Sequence, residues 1–193
     1  MKKITLIVCS LLTITLFACK KTDVAPNKTE DLYKNSPSSL VPDNLSSGVW
    51  FYGTLSAISY WDRDGHHLGN DYEAGREYQF SNVGGQGRLK FHQYLGTRTS
   101  SSCVAEYFTY KEGTVKFDGD KFTFYPVKGN FKTIKKDCSS SNGTTERKAG
   151  ADDLKPDTYR WELATIEGER YFNVYTEDDL AHEDVIFSYS YAP

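Results

Sequence analysis

The sequence predicts an all-β protein: an antiparallel up-and-down β-barrel of about eight to ten strands. Polar and apolar residues alternate with period two along most of the chain, and no long helical periodicity follows residue 18. Pairs such as Glu112-Gly113, Asp118-Gly119 and Glu167-Gly168 separate β-rich runs, as tight hairpins require. An open β-sandwich is the alternative architecture.

The first strand is predicted at 49–60, and shorter strands follow it. Alternation is clear where Leu89 and Phe91 oppose Lys90 and His92. Hairpins joining consecutive strands give a meander, and closure into a barrel removes its unpaired edges. The remaining strands are predicted at 77–82, 88–95, 104–111, 114–117, 121–125, 130–136, 158–166, 170–176 and 185–191.

Gly48-Val49-Trp50, at the start of the first strand, resembles the Gly-x-Trp signature of lipocalins. Residues 48–193 as a whole resemble the lipocalin-like lipoproteins of bacteria. The resemblance implies a barrel whose closed end is crossed by Trp50, just after Gly48, and whose open end is covered by a long first loop. It also implies a late arginine stacked on the tryptophan, and Arg160 and Arg170 are both candidates.

The N-terminus resembles a bacterial lipoprotein signal peptide. Lys2 and Lys3 precede an apolar run over 4–17, and Ala18 comes directly before Cys19. The predicted plan is a signal peptide at 1–18, a lipid-bearing Cys19, a flexible tether over 19–44 and a barrel domain over 45–193. The tether is predicted from its polar composition, which is too poor in large apolar residues to offset the entropy of ordering. The expected location is the cell envelope, most simply the outer membrane.

Net charge argues against nucleic acid as a partner. The whole chain carries a formal charge of −3, and removing residues 1–18 deletes two lysines and no acid, giving about −5. Binding to phosphate backbones needs a basic face. The partner expected at the N-terminus is the membrane, which the lipid on Cys19 would contact.

Cys103 and Cys138 are predicted to form a disulfide. If Cys19 carries lipid, they are the two cysteines left in the mature chain. Thiols outside the cytoplasm normally pair, and two cysteines alone make an incomplete metal site.

Long loops are expected to gather at the end of the barrel where the first strand finishes, here called the upper end. Connections of a meander alternate between its ends, which places loops 61–76, 96–103, 118–120, 137–157 and 177–184 at the upper end, with both cysteines. A metal site using His66 or His67, His182 and a carboxylate is an alternative, but no His-x-His or Cys-x-x-Cys spacing supports it, and no metal is expected. The candidate ligand-binding residues are Tyr60, Trp61, His66, His67, Tyr72, Tyr94 and His182.

Catalytic motifs are missing from the sequence. It has no Gly-x-Ser-x-Gly elbow and no Walker loop, and its cysteines are expected to be oxidised. We therefore expect neither an enzyme nor a cofactor. The function predicted is a lipid-anchored envelope protein that binds a small hydrophobic or aromatic molecule at the open end of the barrel. The alternative is a protein-interaction lipoprotein, such as an inhibitor, an immunity factor or an accessory subunit, which would contact an envelope protein through the same loops.

Overall fold

The computed structural model describes residues 32–53, 72–98, 103–138 and 142–192. Cys19, the predicted signal peptide and residues 54–71 lie outside the described residues. No helix in the described ranges is long and apolar enough to cross a membrane. The described chain forms a helical turn at 32–34, a short 3-10 helix (Ala151–Leu154) and nine strands: β1 (Val49–Gly53), β2 (Tyr72–Val83), β3 (Gln86–Arg98), β4 (Val104–Asp118), β5 (Lys121–Lys136), β6 (Gly143–Lys148), β7 (Asp157–Ile166), β8 (Glu169–Tyr175) and β9 (Phe187–Ala192).

Eight of these strands close into a barrel. The order runs β1-β2-β3-β4-β5-β7-β8-β9 and returns to β1, and every neighbouring pair is antiparallel. The sixth strand, β6, pairs with the upper half of β5 outside the ring. The prediction of an all-β up-and-down barrel is confirmed, and the sequential closed arrangement is consistent with a lipocalin-like fold.

Two predicted hairpins are wrong. The runs 104–111 and 114–117 form the single strand β4, and the runs 121–125 and 130–136 form the single strand β5. Glu112-Gly113 marks a register shift between these two strands. Gly113 is needed there because a Cβ would collide with the carbonyl oxygen of Tyr125.

Merging these strands moves one turn to the opposite end. The turn after Asp118 lies at the lower end, not the upper end, together with the turns after Val83 and Ile166. Each of these three lower turns has two residues between its strands. The predicted loop 137–157 also contains a strand, β6, that the sequence interpretation missed.

The lower half of the barrel is filled with side chains. Trp50 is fully buried at its centre, where its indole N–H donates to the carbonyl oxygen of Leu45 over 3.1 Å. The Trp50 ring lies 5.7 Å from Phe172 and 5.2 Å from Tyr191 between centroids. The surrounding core includes Val41, Phe80, Leu89, Val115, Phe122, Val174 and Tyr189, and Tyr78, Phe91 and Phe124 form its upper boundary.

Arg170 is the arginine that stacks on the tryptophan. Its guanidinium carbon lies 5.2 Å from the Trp50 ring and 4.3 Å from Tyr191, and its terminal nitrogen donates to the carbonyl oxygen of Asn44. Arg160 instead pairs with Asp120. The structure thereby decides between the two arginines that the sequence left open.

Residues 32–48 close the lower end of the barrel. Val41 is buried, and its backbone N–H and C=O both bond the side-chain amide of Asn82, at 2.8 and 3.1 Å. Ser39 bonds the backbones of Val115 and Gly87 at 3.1 and 2.8 Å. The predicted flexible tether over 19–44 therefore does not extend over 32–44, because a few apolar residues in this polar segment find places in the core.

Candidate ligand-binding site

A cavity of about 320 Å³ occupies the barrel above the packed core. Five strands contribute two side chains each: Arg76 and Tyr78 from β2, Phe91 and Gln93 from β3, Thr109 and Lys111 from β4, Phe124 and Phe131 from β5, and Asp157 and Tyr159 from β7. Such a volume lies at the small end of the range for ligand pockets, and the mixture of aromatic walls with a few polar groups is typical of them.

Strand register explains why these side chains share one face. Arg76 lies opposite Gln93, Gln93 opposite Thr109, and Thr109 opposite Phe131, so the four form one row across β2–β5. The next row down contains Tyr78, Phe91 and Lys111. Residues directly opposite each other in a sheet point to the same side, and alternate residues along a strand do so too.

The fifth wall of the cavity comes from β7, which meets β5 only at its lower end. β5 pairs with β7 over Lys121–Phe124 and with β6 over Asn130–Lys135. The first paired residue of β7, Asp157, lies opposite Phe124. The carboxylate of Asp157 therefore stands where the two strands diverge.

Arg76 is held in a defined position within the cavity. Its Nε donates to Oε1 of Gln93 over 3.0 Å, and its guanidinium carbon lies 4.1 Å from the ring of Phe187 and 5.4 Å from that of Phe91. Contacts with aromatic faces orient the plane of the guanidinium group. This arrangement leaves the terminal amino groups of Arg76 with no ion pair to any described carboxylate within 4.0 Å.

The residue opposite Lys111 on β5 is a glycine. Gly129 lies directly opposite Lys111, and a Cβ at this position would stand 3.2 Å from Cγ of Lys111 and against the carbonyl oxygen of Tyr110. The contact with Lys111 would need only a small shift of its stem, whereas the contact with the Tyr110 carbonyl oxygen, at 2.5 Å, is a clash. Glycine at position 129 therefore allows β4 and β5 to approach closely beside Lys111.

The tyrosines around the cavity are neutral. Burial raises the pKa of Tyr78 well above its ordinary value, and the nearby Tyr189 and Tyr159 raise it further. Burial also raises the pKa of Tyr159, with Asp157 adding to the effect and Arg76 opposing it. Burial raises the pKa of Tyr189 to about 12. These hydroxyls keep their protons at neutral pH and are available as uncharged donors and acceptors.

Most of the sequence-predicted ligand candidates cannot be related to this cavity. Tyr60, Trp61, His66 and His67 lie outside the described residues, and of Tyr72 only the backbone, as the first residue of β2, is described. They stay predictions.

Tyr94 and His182 lie elsewhere. Tyr94 is buried, but it follows Gln93 directly in β3, so its side chain points to the other side of the sheet. Its ring packs 5.2 Å from that of Phe108. His182 stacks on Tyr175 at 4.6 Å, and its Nε2 lies 3.1 Å from Oδ2 of Asp120, in the turn after β4. Neither is among the residues that line the cavity.

Cys103 and Cys138 form the predicted disulfide, which is confirmed with an S–S distance of 2.07 Å and a Cα–Cα distance of 4.4 Å. It joins the residue before β4 to the chain just after β5, and so ties two strands of the cavity wall at the upper end. A disulfide is typical of proteins that work outside the cytoplasm.

The polar residues of the cavity were missed for two reasons. Arg76 was assigned to a loop, although it falls in the same alternating register as Tyr78 and Phe80. Lys111 was placed at the end of a strand because Glu112-Gly113 was interpreted as a hairpin. Arg76 and Lys111 could have been identified as cavity residues by one signal, which is a charged residue at a position whose neighbours two places along the strand face the core.

Among the described residues, no three His, Cys, Asp or Glu side chains come together as a set of metal ligands. Comparisons with family models, curated proteins and solved structures found no match to this chain. The functional argument therefore depends on the fold, the cavity and the disulfide.

Proposed function

We propose that the protein is a binding protein of the cell envelope that holds a small hydrophobic or aromatic molecule inside its barrel. The observation that carries the proposal is the division of the barrel interior. Its lower half is packed by Trp50, Phe172 and their neighbours, whereas its upper half encloses about 320 Å³ lined by rings and a few polar groups. A packed base beneath a preformed cavity is the arrangement of a small-molecule site.

This division favours a small ligand over a protein partner. A barrel used as a scaffold for protein contacts needs no internal volume, since side chains can fill an eight-stranded barrel completely. The five aromatic rings on the cavity wall give a ligand flat apolar surfaces to pack against. The polar groups of Arg76, Gln93 and Lys111 can form hydrogen bonds that fix the orientation of that ligand. In this proposal the protein binds its ligand without converting it.

Titration with 1-anilinonaphthalene, an uncharged dye that fluoresces in apolar surroundings, tests the proposal. The variant Thr109→Trp places a large ring into the cavity from the middle of its polar row and should weaken binding at least tenfold. The matched control, Thr144→Trp, adds the same ring on the exposed strand β6 and should leave binding unchanged. Absence of binding to the unmodified protein, or equal binding by both variants, would overturn the proposal.

The envelope location is proposed from the N-terminal motif together with the disulfide. Cys19→Ala should convert a membrane-held mature protein into a soluble or unprocessed form, because two or more acyl chains are needed for stable anchoring. Fractionation with a high-salt wash, combined with labelled fatty acid, provides the measurement. If Cys19→Ala still incorporates label and stays with membranes, the lipid anchor is not Cys19.

A further inference from the structure

Positive charge in the cavity exceeds negative charge. Its walls carry the cations Arg76 and Lys111 and one carboxylate, Asp157. Among the described residues, none of these three charges forms an ion pair within 4.0 Å. The tyrosines of the cavity are neutral, so the polar wall carries a net charge of about +1 by this count.

Charged groups on the outside of the barrel are arranged differently. Glu112 pairs with Lys128 at 2.6 Å, and Asp153 pairs with Arg147 at 2.7 Å. Among the described residues, Arg76 and Lys111 have no carboxylate within 4.0 Å, although Lys111 is near enough to Asp153 to help lower its pKa. A partly buried cation without a close anion is unfavourable. A cavity whose two cations have no ion-pair partner in the described part of the chain is stabilised when an anion enters.

Arg76 is prepared for this role by its own contacts. Gln93 accepts the hydrogen bond from Nε, and the rings of Phe187 and Phe91 contact the guanidinium group and fix its plane. The terminal N–H groups are therefore oriented, and they form no ion pair with a described carboxylate. A planar guanidinium group presents parallel donors that match the two oxygens of a carboxylate. Lys111, one row below and two strands away on β4, supplies a second positive charge to the same cavity.

Resting on the function proposed above, we infer that the ligand is a small aromatic acid with a single negative charge, whose carboxylate is bound by Arg76 and Lys111 while its ring lies against Phe91, Phe124 and Tyr159. One negative charge matches the net charge of the wall. The volume of about 320 Å³ suits a molecule of one or two rings.

Two matched probes test this inference. 1-Naphthoate and 1-naphthamide have nearly the same shape and differ by one negative charge. The unmodified protein should bind 1-naphthoate about tenfold more tightly, the difference expected from a charge-assisted hydrogen bond. Calorimetric titration gives both dissociation constants.

Three variants locate the effect. Arg76→Gln and Lys111→Met should each bring the ratio of the two dissociation constants closer to one, because each removes a positive charge that favours 1-naphthoate. An unchanged β-sheet circular dichroism spectrum and unfolding midpoint show that each variant is folded. Lys116→Met, on the same strand but exposed, removes an equal charge outside the cavity and should change neither constant.

The outcomes separate this inference from the proposed function. If 1-naphthoate binds no more tightly than 1-naphthamide, the inference that the ligand is an acid is overturned. The proposed function then still holds for a neutral ligand. A preference that survives in both Arg76→Gln and Lys111→Met overturns their assigned role. If neither naphthalene compound binds, and the Thr109→Trp comparison shows no difference, the function itself is overturned.

Discussion

The indole of Trp50 is enclosed on all sides by contacts from distant parts of the chain. Leu45 receives its N–H, Phe172 and Tyr191 pack against its ring, and Arg170 stacks on it. Trp50 therefore joins β1, β8, β9 and the segment that closes the lower end. Its contribution is expected to be to stability alone, because the cavity lies above it.

Trp50→Ala should lower the free energy of unfolding by about 3–5 kcal/mol, as expected when a large buried aromatic side chain is removed. Urea denaturation provides the measurement. Leu180→Ala, at a position that is 76% exposed, should change stability by less than about 0.5 kcal/mol. A loss below about 1 kcal/mol for Trp50→Ala would contradict the packing described.

In a double-mutant cycle, Trp50 should couple to Arg170 by about 0.5–1 kcal/mol and should show no coupling to Arg160.

Glu112 secures residues 32–48 to the barrel wall. It accepts hydrogen bonds from the hydroxyls of Tyr33 and Tyr110 and pairs with Lys128 at 2.6 Å. Burial alone would raise the pKa of Glu112, but these three donors together lower it below its ordinary value. The ionised form of Glu112 is therefore the one that stabilises the fold.

This shift predicts a pH dependence on the acid side. A carboxyl group whose pKa is lowered by folding contributes stability above its unfolded pKa and loses that contribution as the pH falls through its folded pKa. The stability difference between the unmodified protein and Glu112→Gln should be present at pH 7 and should shrink as the pH falls below about 4.5. A difference that stays constant from pH 7 to pH 3 would show that Glu112 does not contribute through its charge.

At the scale of elements, the long strands β4 and β5 account for the largest difference between expectation and structure. Glu112-Gly113 has the composition of a hairpin, yet here it forms a bulge inside one strand, because pairing over Val104–Asp118 and Lys121–Lys136 outweighs the local turn preference. Local composition identifies where the backbone bends but does not distinguish a bulge from a turn. The lower turns after Val83 and Ile166, which connect strands of clear alternation, could be predicted.

The disulfide stabilises this long hairpin at its upper end. Its cysteines are 35 residues apart, for which chain-entropy arguments give about 3–4 kcal/mol. Reduction should lower the unfolding midpoint by a corresponding amount and leave the β-sheet circular dichroism of the folded state intact. The variant Cys103→Ser/Cys138→Ser should match the reduced protein and should not respond to reductant. Free thiols in the native, unreduced protein would contradict this assignment.

At the scale of the whole molecule, the barrel combines a packed lower half with an upper half that contains charged walls. The fold class and the inward position of Phe91 and Phe124 follow from the alternation of the sequence. The polar row of Arg76, Gln93 and Thr109 does not, because it requires the register between three strands. Sequence reasoning placed the site in the loops, where function commonly lies, and so overlooked charged residues inside the barrel.

The most direct test of ligand binding inside the barrel is an isotope-filtered nuclear Overhauser experiment with bound 1-anilinonaphthalene. The proposed site predicts contacts from the dye to ring protons of Phe91, Phe124 and Tyr159, and none to Phe80 or Phe172 in the packed half. Contacts confined to exposed side chains such as Leu180 and Val185, with no contact to the three cavity rings, would contradict it.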